Sequence, residues 1–195
     1  MSEVNKNIVQ SFLQSKGLNN KAVAGIMGNI RQESNFDSNA TNASSGAFGL
    51  FQWLGTRKNE LINFAVSLGK SASDITTQLE FFWSELESSE SKTMAVLTGS
   101  NFSTASEYAE AFEASYERSG GSALEKRKTY AEMYYSQMGS ESGSTNTGVS
   151  GVKSGNAIGL EWWGDVVKVI LIISLIGIGV VMGVLSVNST VNEIV

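Results

Sequence analysis

Apolar residues recur at helical spacing over the first two thirds of the chain. Ile8, Val9, Phe12 and Leu13 form a stripe that ends at Lys16 and Gly17, a basic last turn with a glycine behind it. Val23, Ile26, Met27 and Ile30 fall at i, i+3, i+4 and i+7, which predicts a second helix capped by Asn19 or Asn20. Ser34 and Asn35 close it, because Asn tolerates the left-handed conformation at a helix end. Thr56 opens a third helix, with Leu61, Ile62, Ala65 and Leu68 facing inward and Gly69 at its end. Ser73 and Asp74 open a fourth, with Ile75, Leu79, Phe82, Trp83 and Leu86 as its buried face and Glu85, Glu87 and Glu90 as a solvated acidic face. A short helix follows near residues 93–97. Thr104 with Glu107 and Ser122 with Glu125 read as capping boxes that start two more helices. The first carries Tyr108, Phe112 and Tyr116, the second Leu124, Ala131 and Tyr134, with Gly120 and Gly121 between them. Residues 37–45 carry no strand pattern and read as loop. The prediction is a mainly α domain over residues 1–138, long enough for its own core.

The pattern then changes twice. Residues 139–156 are dominated by Gly, Ser, Thr and Asn, the composition of a flexible tether, so 139–160 is assigned as linker and 161–195 as a tail segment. Residues 166–187 are nearly all aliphatic or Gly, with Lys168 as the sole charge. At about 1.5 Å per residue this segment matches a bilayer core of about 30 Å, which predicts a transmembrane helix in contact with lipid. Trp162 and Trp163 suit the headgroup region, and Lys168 is near enough to the end to snorkel. Gly179 and Gly183 are a small-xxx-small pair, consistent with a homo-oligomer through the tail helix and equally with ordinary membrane-helix composition.

Composition narrows the chemistry. The 195 residues contain no Cys and no His, which excludes disulfides, thiol nucleophiles, Cys/His metal sites and His-dependent triads. No cofactor or metal is expected, and catalysis falls to carboxylates, hydroxyls or Lys. A net charge of -5 without a basic stripe argues against nucleic-acid binding. The first residues, MSEVNKNIVQSFLQSKG, have neither a basic start nor a continuous apolar core, so they are not expected to act as a secretory signal.

Glu33 continues the apolar stripe of the second helix, three residues beyond Ile30. On the buried side, loss of water disfavours the charged form, which is how a glutamic acid becomes a general acid near neutral pH. A Glu turned to water at a frayed helix end fits the same spacing. Downstream, GAFGLFQW (residues 46–53) is an apolar run with glycines at Gly46 and Gly49 and a single amide at Gln52, the composition of a cleft floor. Asp37 is the nearest candidate for a second carboxylate, and it equally fits a turn residue bonding its own backbone.

The phrase GIMGNIRQESNF followed by GLFQW and Arg57 resembles the phage tail lysozyme family, within a lysozyme-like superfamily that includes the lytic transglycosylases. A weaker match, EASYERSGG, is similar to the Ala-Tyr-Asn-x-Gly motif of transglycosylases, with Glu117 where Asn is usual. The resemblance covers about residues 5–138 and implies a lysozyme-like helical fold. It implies Glu33 as the catalytic acid and Gly49, Gln52 and Trp53 lining a sugar cleft. Ser34 and Arg57 belong to the same substrate-binding set, and Tyr116 would contact the catalytic Glu. The implied substrate is the peptidoglycan glycan strand, cut between N-acetylmuramic acid and N-acetylglucosamine by hydrolysis or by internal attack of the muramic 6-hydroxyl. Without an export signal, a producing cell would leave such a domain away from any wall. A virion-associated hydrolase, in a tail or an internal viral membrane among other virion proteins, meets the wall from outside during entry. Two rival readings stand beside it: a wall-binding or structural virion protein without turnover, and a membrane-disrupting protein that acts through its tail.

Overall fold

Helix α2 (Asn20–Ser34) is the axis of the fold because it is shaped for neighbours on more than one flank. The computed structural model describes residues 3–142. Within it, the predicted stripe Val23, Ile26, Met27 and Ile30 is buried, and so are Ala22, Ala24, Gly25, Gly28 and Asn29. The two glycines explain the additional burial. A Cβ on Gly25 would lie 2.7 Å from the Tyr108 Cβ, and one on Gly28 would lie 2.5 Å from the Arg127 carbonyl oxygen and 2.8 Å from the Ala131 nitrogen. Helices α6 (Ala105–Phe112) and α7 (Leu124–Ser142) therefore pack almost backbone to backbone on α2. Helix α1 (Glu3–Ser15) packs on it as well, burying Val9, Phe12 and Leu13. Asn19 is the N-cap, its side chain accepting from the amides of Lys21 and Ala22, and Asn35 closes the helix at φ 56°.

Helices α3 (Gly55–Ser67), α4 (Ile75–Glu87) and α5 (Ser91–Gly99) build the remaining part of the body. Asp74 caps α4, whose predicted face buries Leu79, Phe82, Trp83 and Leu86. Their meeting point is an aromatic cluster: Phe51 stacks on Phe82 at 4.4 Å, Phe112 on Tyr116 at 4.9 Å, and Trp53 meets Phe81 edge-on at 5.5 Å. Each such ring adds roughly 1.5–3 kcal/mol of burial, with about 0.5–1.5 kcal/mol more for a well-oriented pair.

Several expectations need correction. In α3 only Leu61 and Ala65 are buried, whereas Ile62 and Leu68 are 39% and 45% exposed, because a helix that packs mainly on one neighbour hides a narrow stripe. Glu85 belongs to no solvated face; it is 4% exposed. The capping box at Thr104 forms, but Ser122 caps nothing: Ala123 adopts φ 55° and α7 begins at Leu124. The helix predicted through Tyr116 ends at Phe112, and residues Glu113–Glu117 form a short π-helix. Residues 37–45 are loop as expected, with isolated bridges from Phe48 to Thr41 and to Trp53. Helix α7 runs to Ser142, past the expected start of the linker. Among the described residues no helix is long and apolar enough to cross a membrane; the predicted span at 166–187 and the rest of the linker lie outside them.

Candidate functional site

Glu33 lies in the last turn of α2, with its side chain 18% exposed, so it is neither sealed in the core nor turned out to water. What holds it is Arg127, in the first turns of α7 and 3% exposed. The guanidinium Nη2 donates to Glu33 Oε1, Nη1 donates to Asn29 Oδ1 at 3.0 Å, and Nε donates to the Ser122 carbonyl at 3.2 Å. Asn29 is fixed in turn, its Nδ2 donating to the carbonyls of Gly25 at 2.9 Å and Ala109 at 3.0 Å. A continuous chain of hydrogen bonds thus runs from α6 through Asn29 and Arg127 to Glu33. The close approach of α7 at Gly28 is what allows an arginine on α7 to reach it.

Sequence reading missed Arg127 and Asn29. A signal was present for the second, a polar residue inside an otherwise apolar stretch one helical turn before Glu33. For Arg127 the sequence carried none, since its partner lies 94 positions away.

A second charged cluster is buried nearby in the fold. Glu85 accepts from Arg57 Nε at 2.7 Å and Nη2 at 3.0 Å, from Trp53 Nε1 at 3.0 Å, and from the Tyr116 hydroxyl. The Arg57 guanidinium also lies over the Tyr116 ring, 4.3 Å from its centre. Burial, reinforced by the negative charge of Glu85, pushes the Tyr116 phenol well above its ordinary pKa and keeps it a donor. The tyrosine expected beside Glu33 is therefore bonded to Glu85 instead. At 0% exposure it cannot touch a sugar, and Trp53 at 1% cannot either. The physical reason is that Glu85, buried by α4, is the acceptor within reach of all three donors.

The GAFGLFQW loop is stitched to the same body. Ser34 Oγ donates to the Leu50 carbonyl at 2.9 Å, tying the end of the Glu33 helix to the loop. Gln78 Oε1 accepts from the Leu50 amide at 2.9 Å, and its Nε2 donates to the carbonyls of Ser38 and Ala72, both at 2.8 Å. Gly49 has φ 78°, and a Cβ there would lie 2.7 Å from the Gln78 amide, so the loop admits no side chain at that point. Ser34 and Gly49 are thus buried scaffold rather than sugar contacts. Gln52 stays half-buried in a left-handed conformation, its Nε2 bonded to the carbonyls of Ala40 and Gly49 at 3.2 and 3.0 Å. Asp37 is an exposed turn residue whose Oδ1 accepts from the Asn39 amide at 2.8 Å, the local bond to its own backbone that such a turn residue makes.

A family model described as phage tail lysozyme matches residues 4–138. The chain belongs to the phage tail lysozyme family. Membership points to a lysozyme-like, peptidoglycan-lytic function, and the matched stretch contains both charged clusters. An open groove of about 500 Å³, lined by residues that include Asn19, Lys21, Phe102 and Tyr108, lies at the other end of α2. With α2 running from Asn20 to Ser34, a rise of about 1.5 Å per residue sets that groove some ~20 Å from the Glu33 end, so it is not the seat of Glu33 chemistry. Among the described residues no cluster of acidic side chains could hold a metal ion.

The dependence of the lysozyme-family site on close helix packing is testable. Gly28→Ala is expected to cost about 1–3 kcal/mol, because the added methyl meets backbone rather than a movable side chain. Displacing α7 also moves Arg127, so lytic activity per folded molecule should fall. A denaturant melt and a lysis assay that both match the parent would contradict this packing.

Proposed function

We propose that the chain cleaves the β-1,4 bond between N-acetylmuramic acid and N-acetylglucosamine in peptidoglycan, with Glu33 as the acid that protonates the leaving oxygen. The observation that carries this reading is the seat of Glu33 itself: a carboxyl at a helix end, partly open to solvent, held in one orientation by a buried arginine that is fixed by two further hydrogen bonds and helix packing. Such pre-organisation is what general acid catalysis needs as the sugar passes through an oxocarbenium-like state. Gln52, the half-exposed amide of the loop that Ser34 joins to the Glu33 helix, serves as the sugar contact. Arg57, Trp53 and Tyr116 act from behind, as the scaffold that fixes that loop.

The setting that fits a wall-cutting domain of this family is the virus particle, which meets the wall from outside during entry. The hydrophobic segment at 166–187 then acts on the host bilayer after the wall is breached.

Incubating the full chain with isolated cell walls tests the reaction. New reducing ends are expected, and mass spectrometry of the fragments assigns them to hydrolysis or to anhydro-sugar formation. Binding to walls without any new chain ends would instead mark a protein that grips peptidoglycan without turning it over. Detection in purified particles tests the location, and its absence there together with enrichment in infected-cell membranes would refute it.

A further inference from the structure

Arg127 grips Glu33 with one bond where Arg57 grips Glu85 with two. Nε and Nη2 lie on the same edge of a guanidinium, and Arg57 turns that edge to Glu85, giving one donor to each carboxylate oxygen at 2.7 and 3.0 Å. Arg127 splits the same edge: Nη2 donates to Glu33 Oε1, while Nε donates to the Ser122 carbonyl at 3.2 Å. The Ser122 carbonyl and the Glu33 carboxyl therefore sit side by side on one arginine. Because a backbone oxygen takes the Nε position, Arg127 engages only Oε1 of Glu33, and Oε2 is left as the oxygen that can carry a proton.

The turn that carries Ser122 is not one the chain adopts readily. Arg118, Gly120, Gly121 and Ala123 are all left-handed, at φ 52°, 69°, 79° and 55°, and the Cβ atoms of Arg118 and Ala123 disfavour that conformation. The anchor is Glu113, the first residue of the π-helix Glu113–Glu117 and only 5% exposed. Its carbonyl accepts from the Arg118 amide at 2.6 Å, and its Oε1 accepts from Ser119 Oγ at 2.7 Å and from the Gly121 amide at 3.0 Å. The Gly121 carbonyl in turn accepts from the Leu124 amide at 3.2 Å, and the Ala123 carbonyl from the Arg127 amide at 3.1 Å. One buried carboxylate thus fixes both the carbonyl that follows Gly121 and the first turn of α7, which carries Arg127. Burial alone would raise the Glu113 carboxyl, but the bonds from Ser119 and Gly121 outweigh it and hold the group below its ordinary range, so it stays an acceptor.

We propose that Glu113 is a positioning residue for Glu33: through Ser119 and Gly121 it sets the Ser122 carbonyl on Arg127 Nε, which confines the arginine to Oε1 of Glu33 and leaves Oε2 to hold the proton delivered to the glycosidic oxygen. This rests on the reading of Glu33 as the acid. Without that carbonyl, Arg127 Nε would be a buried donor with no acceptor, and the acceptor on the same edge is the second oxygen of Glu33. Arg127 would then take Glu33 as Arg57 takes Glu85. Two bonds from a guanidinium favour the ionised form of a carboxyl, which makes it the poorer proton donor.

Glu113→Ala in the full chain removes the anchor. The alkaline limb of its lysis-against-pH curve is expected to lie about one pH unit to the acid side of the parent's, roughly a tenfold loss of rate on that limb that acidification restores. Glu113→Gln removes the charge but keeps an oxygen that can accept from Ser119 and Gly121, so its limb should stay within about 0.3 unit of the parent's. The charged groups around Glu33, Arg127 from α7 and Glu117 from the π-helix, are unchanged in both variants. A limb that stays in place in Glu113→Ala, at any amplitude, leaves Glu113 a merely structural role and overturns the proposal. An equal shift in Glu113→Gln overturns it too, since charge and not the anchored carbonyl would then be the cause. If a thermal melt shows that Glu113→Ala does not fold, Ser119→Ala, at an exposed position, decides instead. Its limb should move the same way by a smaller step, and a limb matching the parent's rejects the link. Lysis surviving in Glu33→Gln refutes the reading of Glu33 itself, an outcome separate from every Glu113 result.

Discussion

Glu33→Gln is expected to lose wall lysis by about 10³-fold while folding like the parent, within the range by which a positioned proton donor accelerates a reaction. The amide oxygen of glutamine still accepts from Arg127 Nη2, so the chain from Ala109 through Asn29 and Arg127 is not left with an orphaned donor. The amide has no proton to give at working pH. The loss should therefore appear in the release of reducing ends and not in the thermal melt. Asp37→Asn is the companion control: asparagine preserves the turn to the Asn39 amide, and lysis should stay within about twofold of the parent if Asp37 has only that backbone role. Residual lysis by Glu33→Gln within tenfold of the parent would remove Glu33 from the reaction.

The largest loss of stability is expected from Glu85→Leu, which keeps most of the volume and deletes every acceptor atom. Trp53 Nε1, the Tyr116 hydroxyl and the Arg57 guanidinium all donate to this one carboxylate, and Trp53 and Tyr116 lie in the interior. Removing one partner of a buried ion pair costs about 3–5 kcal/mol, chiefly because the other charge stays behind without compensation. For a domain of this size that is a fall in Tm of roughly 10–20 °C. Glu85→Gln keeps one acceptor oxygen and should lose less. Adding Arg57→Met to Glu85→Leu should recover part of the loss, and a double variant no better than the single one would show that the stranded charge was not the cause.

These two expectations separate the roles of the two ion pairs. Arg57 with Glu85 holds the loop, the aromatic cluster and the π-helix in place, and Arg127 with Glu33 presents a carboxyl at the edge of the body. The first arises where α3 meets α4 and the second where α2 meets α7, each bringing charges of opposite sign together largely out of water.

Local periodicity was enough to determine the helical class of the domain, most of the stripes of α1, α2 and α4 and the Asp74 and Thr104 caps, and it narrowed the α2 cap to Asn19 or Asn20 and Glu33 to the buried side or the frayed end of that helix, because each depends on residues within a few positions of one another. The motif pair around Glu33 and Gln52 also carried the family resemblance. Only the tertiary structure decided what surrounds that acid. Arg127 reaches it because two glycines on α2 let neighbouring helices close in, and Glu85 takes the hydrogen bond of Tyr116 because α4 buries it there. The π-helix rotates Glu117 into an interior with no partner for its Oε1. Capping and periodicity are short-range effects that a sequence displays directly. The charge environment of a buried carboxyl is set by groups nearly a hundred positions away, and these become its neighbours only when the helices pack.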